Sequence, residues 1–272
     1  TLKARAFLGG YTSSNVASAN IVVLENTGNQ PRYLNPPLMV SDFARIANVP
    51  MSVSALSTAY GGAAISASEN HLFRISTVER NGKHWLQQIF SHDNGENSVG
   101  LGRTGTQYIV TLPGGQQYEE IYVSFEQELK SDFVFSRGGK FGPGFLGGST
   151  ITTGGTRSNG YNGIAVRNSW EGVLNPDGGI GLYVAYADQR NGVTEDVNAT
   201  VSTLWSLAQV QRVQIRAKLN TPETAQGRGD SRPNGILQMW VDGALVIDRR
   251  NMRWRHDDNL KINRFFYSNF YG

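Results

Sequence analysis

From Arg212 to Leu219 apolar and polar residues alternate without a break: Val213, Ile215, Ala217 and Leu219 against Arg212, Gln214, Arg216 and Lys218. A period of two sends the two sets to opposite sides of an extended chain, so the segment predicts a strand with one face on a core and one polar face. Ile121, Val123 and Phe125 repeat the pattern, and residues 181–186 form another short β-rich run. Residues 236–241 and 244–247 flank Asp242-Gly243, a pair that suits a two-residue hairpin turn. Residues 265–271 read as an aromatic terminal strand, and only residues 201–209 suggest a helical turn or two. The expected class is all-β.

Composition agrees. Glycine makes up 32 of 272 residues and charged residues only 17%, which suits many strands joined by tight turns and argues against a helical bundle or a disordered chain. Residues 1–50 are rich in Asn, Ser and Pro, as in Asn29-Gln30-Pro31 and Asn35-Pro36-Pro37. They are expected to form an N-terminal arm with edge strands, packed on a main domain spanning residues 51–272. Thr1 suggests a processed or trimmed start, with no signal peptide.

Several function classes fall away on composition. Without cysteine there is no disulfide, thiolate nucleophile or cysteine metal site. No apolar run approaches the roughly 20 residues that span a bilayer, so no membrane insertion is expected. The net charge of +3 is mild for a nucleic-acid binder, and no nucleic-acid partner is expected. The same surplus suits a protein that holds a polyanionic sugar; composition alone does not separate the two.

The segment with most chemical content runs Phe135-Ser136-Arg137-Gly138-Gly139-Lys140-Phe141-Gly142-Pro143-Gly144-Phe145-Leu146-Gly147-Gly148. Glycines at this density allow close approach of backbone or ligand, with Lys140 alone among them. On the residues alone two readings stand: a solvated lysine in a glycine-rich loop, or a reactive lysine in a cleft. The order of a phosphate-binding loop is missing.

Glu120-Ile121-Tyr122-Val123-Ser124-Phe125 and residues 133–148 together resemble the strand and glycine-rich segment of the alginate lyases of polysaccharide lyase family 14. The resemblance continues through Leu219-Asn220-Thr221-Pro222, residues 235–243 and the closing Phe265-Phe266-Tyr267-Ser268-Asn269-Phe270-Tyr271-Gly272. It covers roughly residues 118–272. It implies a β-jelly roll of two antiparallel sheets, a concanavalin-like sandwich with a concave cleft. It also implies cleavage of an acidic, uronate-containing polysaccharide, alginate-like or glucuronan-like, by β-elimination without metal or other cofactor.

That reaction needs a cation to neutralise the C5 carboxylate, a base to take the α-proton, and an acid to protonate the departing O4. By the resemblance, Lys140 matches the family's catalytic lysine. Val166-Arg167-Asn168-Ser169-Trp170 resembles the family's Arg-x-x-Trp strand, which makes Arg167 the carboxylate grip. Residues 182–189 resemble its Tyr-x-Tyr-His-Pro-Asp-Gln strand, which makes Tyr183 the acid or base. Two positions depart from the family. Ala165 stands where its serine falls, two residues before the arginine, and Ala185 where its second tyrosine falls. The departures leave open a site remodelled for another uronate, or one that binds without cutting.

Other residues are candidates to complete such a site. His92, in the polar turn Ser91-His92-Asp93-Asn94-Gly95, is a natural proton shuttle, and equally a solvated turn histidine. Arg103, between small residues in Gly100-Leu101-Gly102-Arg103-Thr104-Gly105, is a candidate for a substrate carboxylate. Tyr186, Asn220 and Asn162 are candidate sugar contacts, although Asn before Thr-Pro is also a turn former. His71, His84 and His256 show no metal-ligand spacing. Glu126 and Glu128 share a strand face, but the Glu-x-Asp-x-x-Glu pattern of jelly-roll glucanases is missing. Arg228-Gly229-Asp230 and the sequon Asn198-Ala199-Thr200 arise easily by chance. Alternatives to a secreted or virus-associated monomeric lyase are a non-catalytic carbohydrate-binding module and an adhesive component of a virion or cell surface.

Overall fold

The computed structural model describes residues 11–22, 37–67, 69–91, 105–135, 138–152, 156–171, 177–189, 195–199, 203–222 and 231–271. The strands in chain order are β1 (Tyr11–Val22), β2 (Met39–Val40), β3 (Ile65–Ala67), β4 (Ile75–Arg80), β5 (Lys83–Ser91), β6 (Thr106–Thr111), β7 (Glu120–Leu129) and β8 (Gly139–Gly148). They continue with β9 (Gly163–Glu171), β10 (Gly179–Ala185), β11 (Glu195–Asn198), β12 (Val210–Lys218), β13 (Gly235–Val241), β14 (Ala244–Met252) and β15 (Ile262–Tyr271). Two short helices, α1 (Val53–Ala59) and α2 (Glu69–Leu72), lie between β2 and β4.

These strands form two antiparallel sheets, the all-β class that the alternating patterns predict and the jelly roll that the family resemblance implies. One runs β14-β13-β12-β7-β1-β5-β4, with β2 paired to β1; the other runs β11-β10-β9-β8-β15-β6-β3. The alternation decides which side of each strand is buried. Ile121, Val123 and Phe125 of β7 and Val213, Ile215 and Ala217 of β12 face Phe145, Val166, Leu182, Val184 and Phe265 of the seven-stranded sheet in one apolar core. A buried aliphatic side chain of this kind contributes about 1.5–3 kcal/mol.

Asp242 and Gly243 take φ values of 50° and 84°, the mirror-image turn whose twist matches the flanking strands β13 and β14. Asn81-Gly82 does the same between β4 and β5. The helical expectation lands elsewhere. Within residues 203–209 the chain makes isolated bridges at Leu204 and Leu207, whereas α1 forms at residues 53–59, where the Ser52 side chain accepts from the Ala55 amide at 3.1 Å.

In the segment expected to supply edge strands, β2 pairs, among the described residues, with β1 alone, whereas β1 itself is not an edge. β1 pairs with β5 on one side and β7 on the other, so it lies inside its sheet. Its run Tyr11-Thr12-Ser13-Ser14-Asn15 is polar and has little β-branched content. Membership in the sheet comes from ladder bonds on both sides, which outweigh local propensity.

Candidate active site

Strand parity sets the site. In β9 and β10 the cross-strand pairs Val166–Val184 and Trp170–Ile180 point into the core, so Arg167–Tyr183 and Ala165–Ala185 share the opposite, outward face. On β8 and β15 the pair Lys140–Phe270 lies on that face, and Gly144 stands between Arg167 and Phe266.

A bulge positions Lys140. Between the pairs Lys140–Ser169 and Gly144–Arg167, residues Phe141, Gly142 and Pro143 stand opposite Asn168 alone. The Asn168 side chain closes the gap, donating to the Phe141 carbonyl at 3.3 Å and to Gln127 Oε1 of the other sheet at 2.9 Å. Bulges commonly re-aim side chains next to active sites. At Gly144 the backbones of β8 and β9 come so close that a Cβ there would meet the Val166 carbonyl oxygen at 1.9 Å, so the position requires glycine.

The three residues that the resemblance selects meet. Lys140 Nζ lies 4.1 Å from the centre of the Tyr183 ring and 5.3 Å from that of Phe270. The Arg167 guanidinium carbon lies 4.7 Å from the Tyr183 ring, 5.6 Å from Phe266 and 5.8 Å from Phe270. Arg167 therefore reaches across β8, where Gly142 and Gly144 carry no side chain, to donate to Ser268 Oγ of β15 at 3.4 Å. Lys140 and Arg167 are almost wholly buried, and Tyr183 is half-buried. Aromatic faces attract both cations while leaving them charged.

A rigid layer backs this face from the core side. Tyr108 of β6 stacks on Tyr267 of β15 at 4.6 Å, and its hydroxyl meets that of Tyr60 at 2.9 Å. Asn269 Nδ2 donates to the Tyr267 hydroxyl at 2.7 Å. Burial pushes all three phenols well above the ordinary tyrosine pKa, so they stay neutral and hold β15 in register.

Three other candidates lie elsewhere. Tyr186 packs on the core with its ring 6.3 Å from Trp254, because its even-numbered parity in this stretch follows Val184 and not Tyr183. Asn220 is fully buried; its Oδ1 accepts from the Trp254 and Arg255 amides at 2.8 and 2.9 Å, and its Nδ2 donates to the Arg255 carbonyl at 3.0 Å. It stitches two chain segments together and offers nothing to a sugar. Asn162 builds the turn into β9, accepting from the Asn159 and Gly163 amides and donating to the Arg157 carbonyl at 2.9 Å. His92 and Arg103 lie outside the described residues.

Ala165 and Ala185 face each other across β9 and β10 and are fully buried with Ile109, Leu146 and Phe266 in a small apolar cluster. Where the family pattern has hydroxyls, this chain has hydrocarbon. The structure adds residues that the sequence reading did not select: Phe266, Ser268 and Phe270 of β15, and Gln107 of β6, which accepts from Ser268 Oγ at 3.3 Å. For the first three the signal was present in the terminal strand, where period two separates Phe266, Ser268 and Phe270 from the core set Phe265 and Tyr267.

Solved structures share this fold. The alginate lyase vAL-1 from Chlorella virus aligns with a TM-score of 0.64 at 19% identity, over 83% of this chain and 91% of that one. The alginate lyase Aly36B, as a variant in complex with alginate trisaccharide, aligns at 0.63 and 17% identity, over 94% and 89%. The marine alginate lyase of Aplysia kurodai aligns at 0.63 and 16% identity, over 84% and 88%. A comparison with curated protein sequences gives no match. The family model for polysaccharide lyase 14 matches residues 79–272, from the end of β4 to the last residue and across every strand of the site. The chain belongs to polysaccharide lyase family 14 and is a polysaccharide lyase.

Proposed function

We propose that this lyase cleaves a uronate-containing polysaccharide, alginate-like or glucuronan-like, by metal-independent β-elimination on the outward face of the seven-stranded sheet. The observation that carries the reading is the placement of Lys140 and Arg167 over the ring of Tyr183. Two cations and a phenol on one face are the groups the reaction requires.

Arg167 meets the carboxylate at C5 of the sugar, whose negative charge otherwise opposes loss of the neighbouring proton. Lys140 and Tyr183 share the proton transfers: one removes the C5 proton and the other protonates O4. The C5–H electron pair becomes the C4–C5 double bond, the C4–O4 bond breaks, and O4 leaves as a hydroxyl. Positive charge aimed at the carboxylate as electron density builds on it lowers the barrier most, since the site excludes water there. The charge that a metal would supply comes in this account from the guanidinium and ammonium groups. The alginate trisaccharide held by Aly36B supports a polymeric uronate as substrate. A polymer of that kind implies an extracellular or virus-associated place of action.

Ala165 and Ala185, fully buried where the family pattern has hydroxyls, make binding without cleavage the outcome that would contradict elimination at this face. A panel of polyuronates incubated with the protein, read by ultraviolet absorbance of the new double bond, separates the two. Rising absorbance that survives a chelator supports elimination. Glycan binding with flat absorbance throughout the panel contradicts it.

A further inference from the structure

The apolar filling around Ala165 and Ala185 replaces two hydroxyls of the family pattern and leaves Tyr183 on the β10 side of Arg167, so polar groups on its other side carry more weight. There Arg167 Nη1 donates to Ser268 Oγ, and the Ser268 hydroxyl donates to Gln107 Oε1, at 3.4 and 3.3 Å. Ser268 and Gln107 are direct cross-strand partners on β15 and β6. A guanidinium only donates, so Ser268 accepts from Arg167 and keeps its own proton to give, and in the structure that proton goes to Gln107 Oε1. Its carbonyl is engaged, and its Nε2 with two protons is the opposite end of the group. Gln107 is half-buried on the outward face, and among the described residues nothing accepts from its Nε2. A half-buried amide held by its oxygen alone keeps its donor end available, one hydroxyl removed from the guanidinium.

We propose that Gln107 is a second ligand for the uronate carboxylate at the cleavage point, donating from Nε2 to one carboxylate oxygen while Arg167 holds the other. This rests on the elimination reading above. The amide N–H strengthens its hold as charge develops on the carboxylate during proton removal, so it favours the transition state over the bound substrate. Ser268 is a positioning residue that couples the two ligands. The carboxylate grip thus extends over β9, β15 and β6.

Two variants test this, with melting curves recorded for both and oligouronate binding measured alongside cleavage. Gln107→Leu keeps the bulk and removes the donor; kcat/KM falls on the order of 10–100-fold, the range of a hydrogen bond to a charged group. Gln107→Glu keeps the shape and presents a carboxylate to the substrate's own; activity falls further at neutral pH and is regained in part as the pH is lowered and the new side chain is protonated. A purely structural glutamine gives no such acid rescue. Wild-type cleavage together with a folded Gln107→Leu within twofold of wild type overturns the role of Gln107 and leaves the elimination reading standing. If Gln107→Leu does not fold, the acid rescue of Gln107→Glu decides, and its absence overturns the role. A wild type that neither binds nor cleaves any polyuronate overturns both.

Discussion

The two sheets present outward faces of opposite character. On the eight-stranded sheet, cations meet carboxylates across neighbouring strands. Arg216 of β12 pairs with Glu120 of β7 at 2.6 Å and donates to Gln238 of β13, which donates to Asp248 of β14, itself paired with Arg250. Lys83 pairs with Glu126, and Arg80 with Glu128. On the seven-stranded sheet, Lys140 and Arg167 lie over the rings of Tyr183, Phe266 and Phe270. A carboxylate partner spends a cation's charge on the fold, whereas an aromatic ring orients a cation without neutralising it. Paired charge serves register on the eight-stranded face, and in the proposed mechanism the cations of the seven-stranded face serve chemistry.

Tyr183→Phe probes that contrast most strongly. It keeps the ring beneath both cations and removes only the hydroxyl, so melting stays unchanged while cleavage falls about 10²–10⁴-fold, the usual worth of a positioned proton-transfer group. Unchanged turnover assigns both proton transfers elsewhere. Arg216→Ala does the reverse. It leaves Glu120 with its charge and without its partner, destabilising the fold by about 3 kcal/mol, near the low end for a broken buried pair because Glu120 is 19% exposed. Turnover per folded molecule is unaffected; denaturant melts and active-fraction kinetics check the two halves.

Ala185→Tyr restores a ring and hydroxyl of the family pattern to a fully buried position among Leu146, Phe266 and Ala165. Overpacking costs about 1–3 kcal/mol there, and cleavage does not improve. A gain in turnover shows that the apolar cluster opens readily, contrary to its packing.

The smallest effect concerns Glu119. Burial acts to raise its pKa, but the Arg255 and Lys261 partners prevail and hold it below the ordinary carboxylate value. A carboxylate with a depressed folded pKa adds stability above its unfolded value, and that contribution is lost as the pH falls through the folded one. Its side chain is 57% exposed, so solvent screening keeps the gain below about 1 kcal/mol. The melting difference between wild type and Glu119→Gln is therefore small near neutrality and vanishes in acid; a difference that grows on acidification has the wrong sign for this account.

Much of the architecture is legible in period-two alternation, because a strand with one buried face must alternate: β7, β12 and the β13–β14 hairpin follow directly. Lys140, Arg167 and Tyr183 are legible through motifs of a few adjacent residues. Ser268 and Gln107 are not, since their meeting with Arg167 depends on the sheet order β9-β8-β15-β6, which joins residues 101 and 161 positions apart. Asn220 shows the converse. A side-chain amide reads the same in sequence whether it binds a sugar or clamps Trp254 and Arg255. The interior place of β1 is hidden for a similar reason, as its polar run is held by two neighbours remote in sequence.

Lys140 is the reacting group on which the proposed elimination depends. Wild type and Lys140→Ala, both shown to be folded, are compared on polyuronate by absorbance of the C4–C5 double bond. Wild type accumulates unsaturated product and Lys140→Ala loses at least about 10³-fold in rate while still binding the chain. Retained cleavage by Lys140→Ala contradicts the assignment and moves the chemistry away from this lysine.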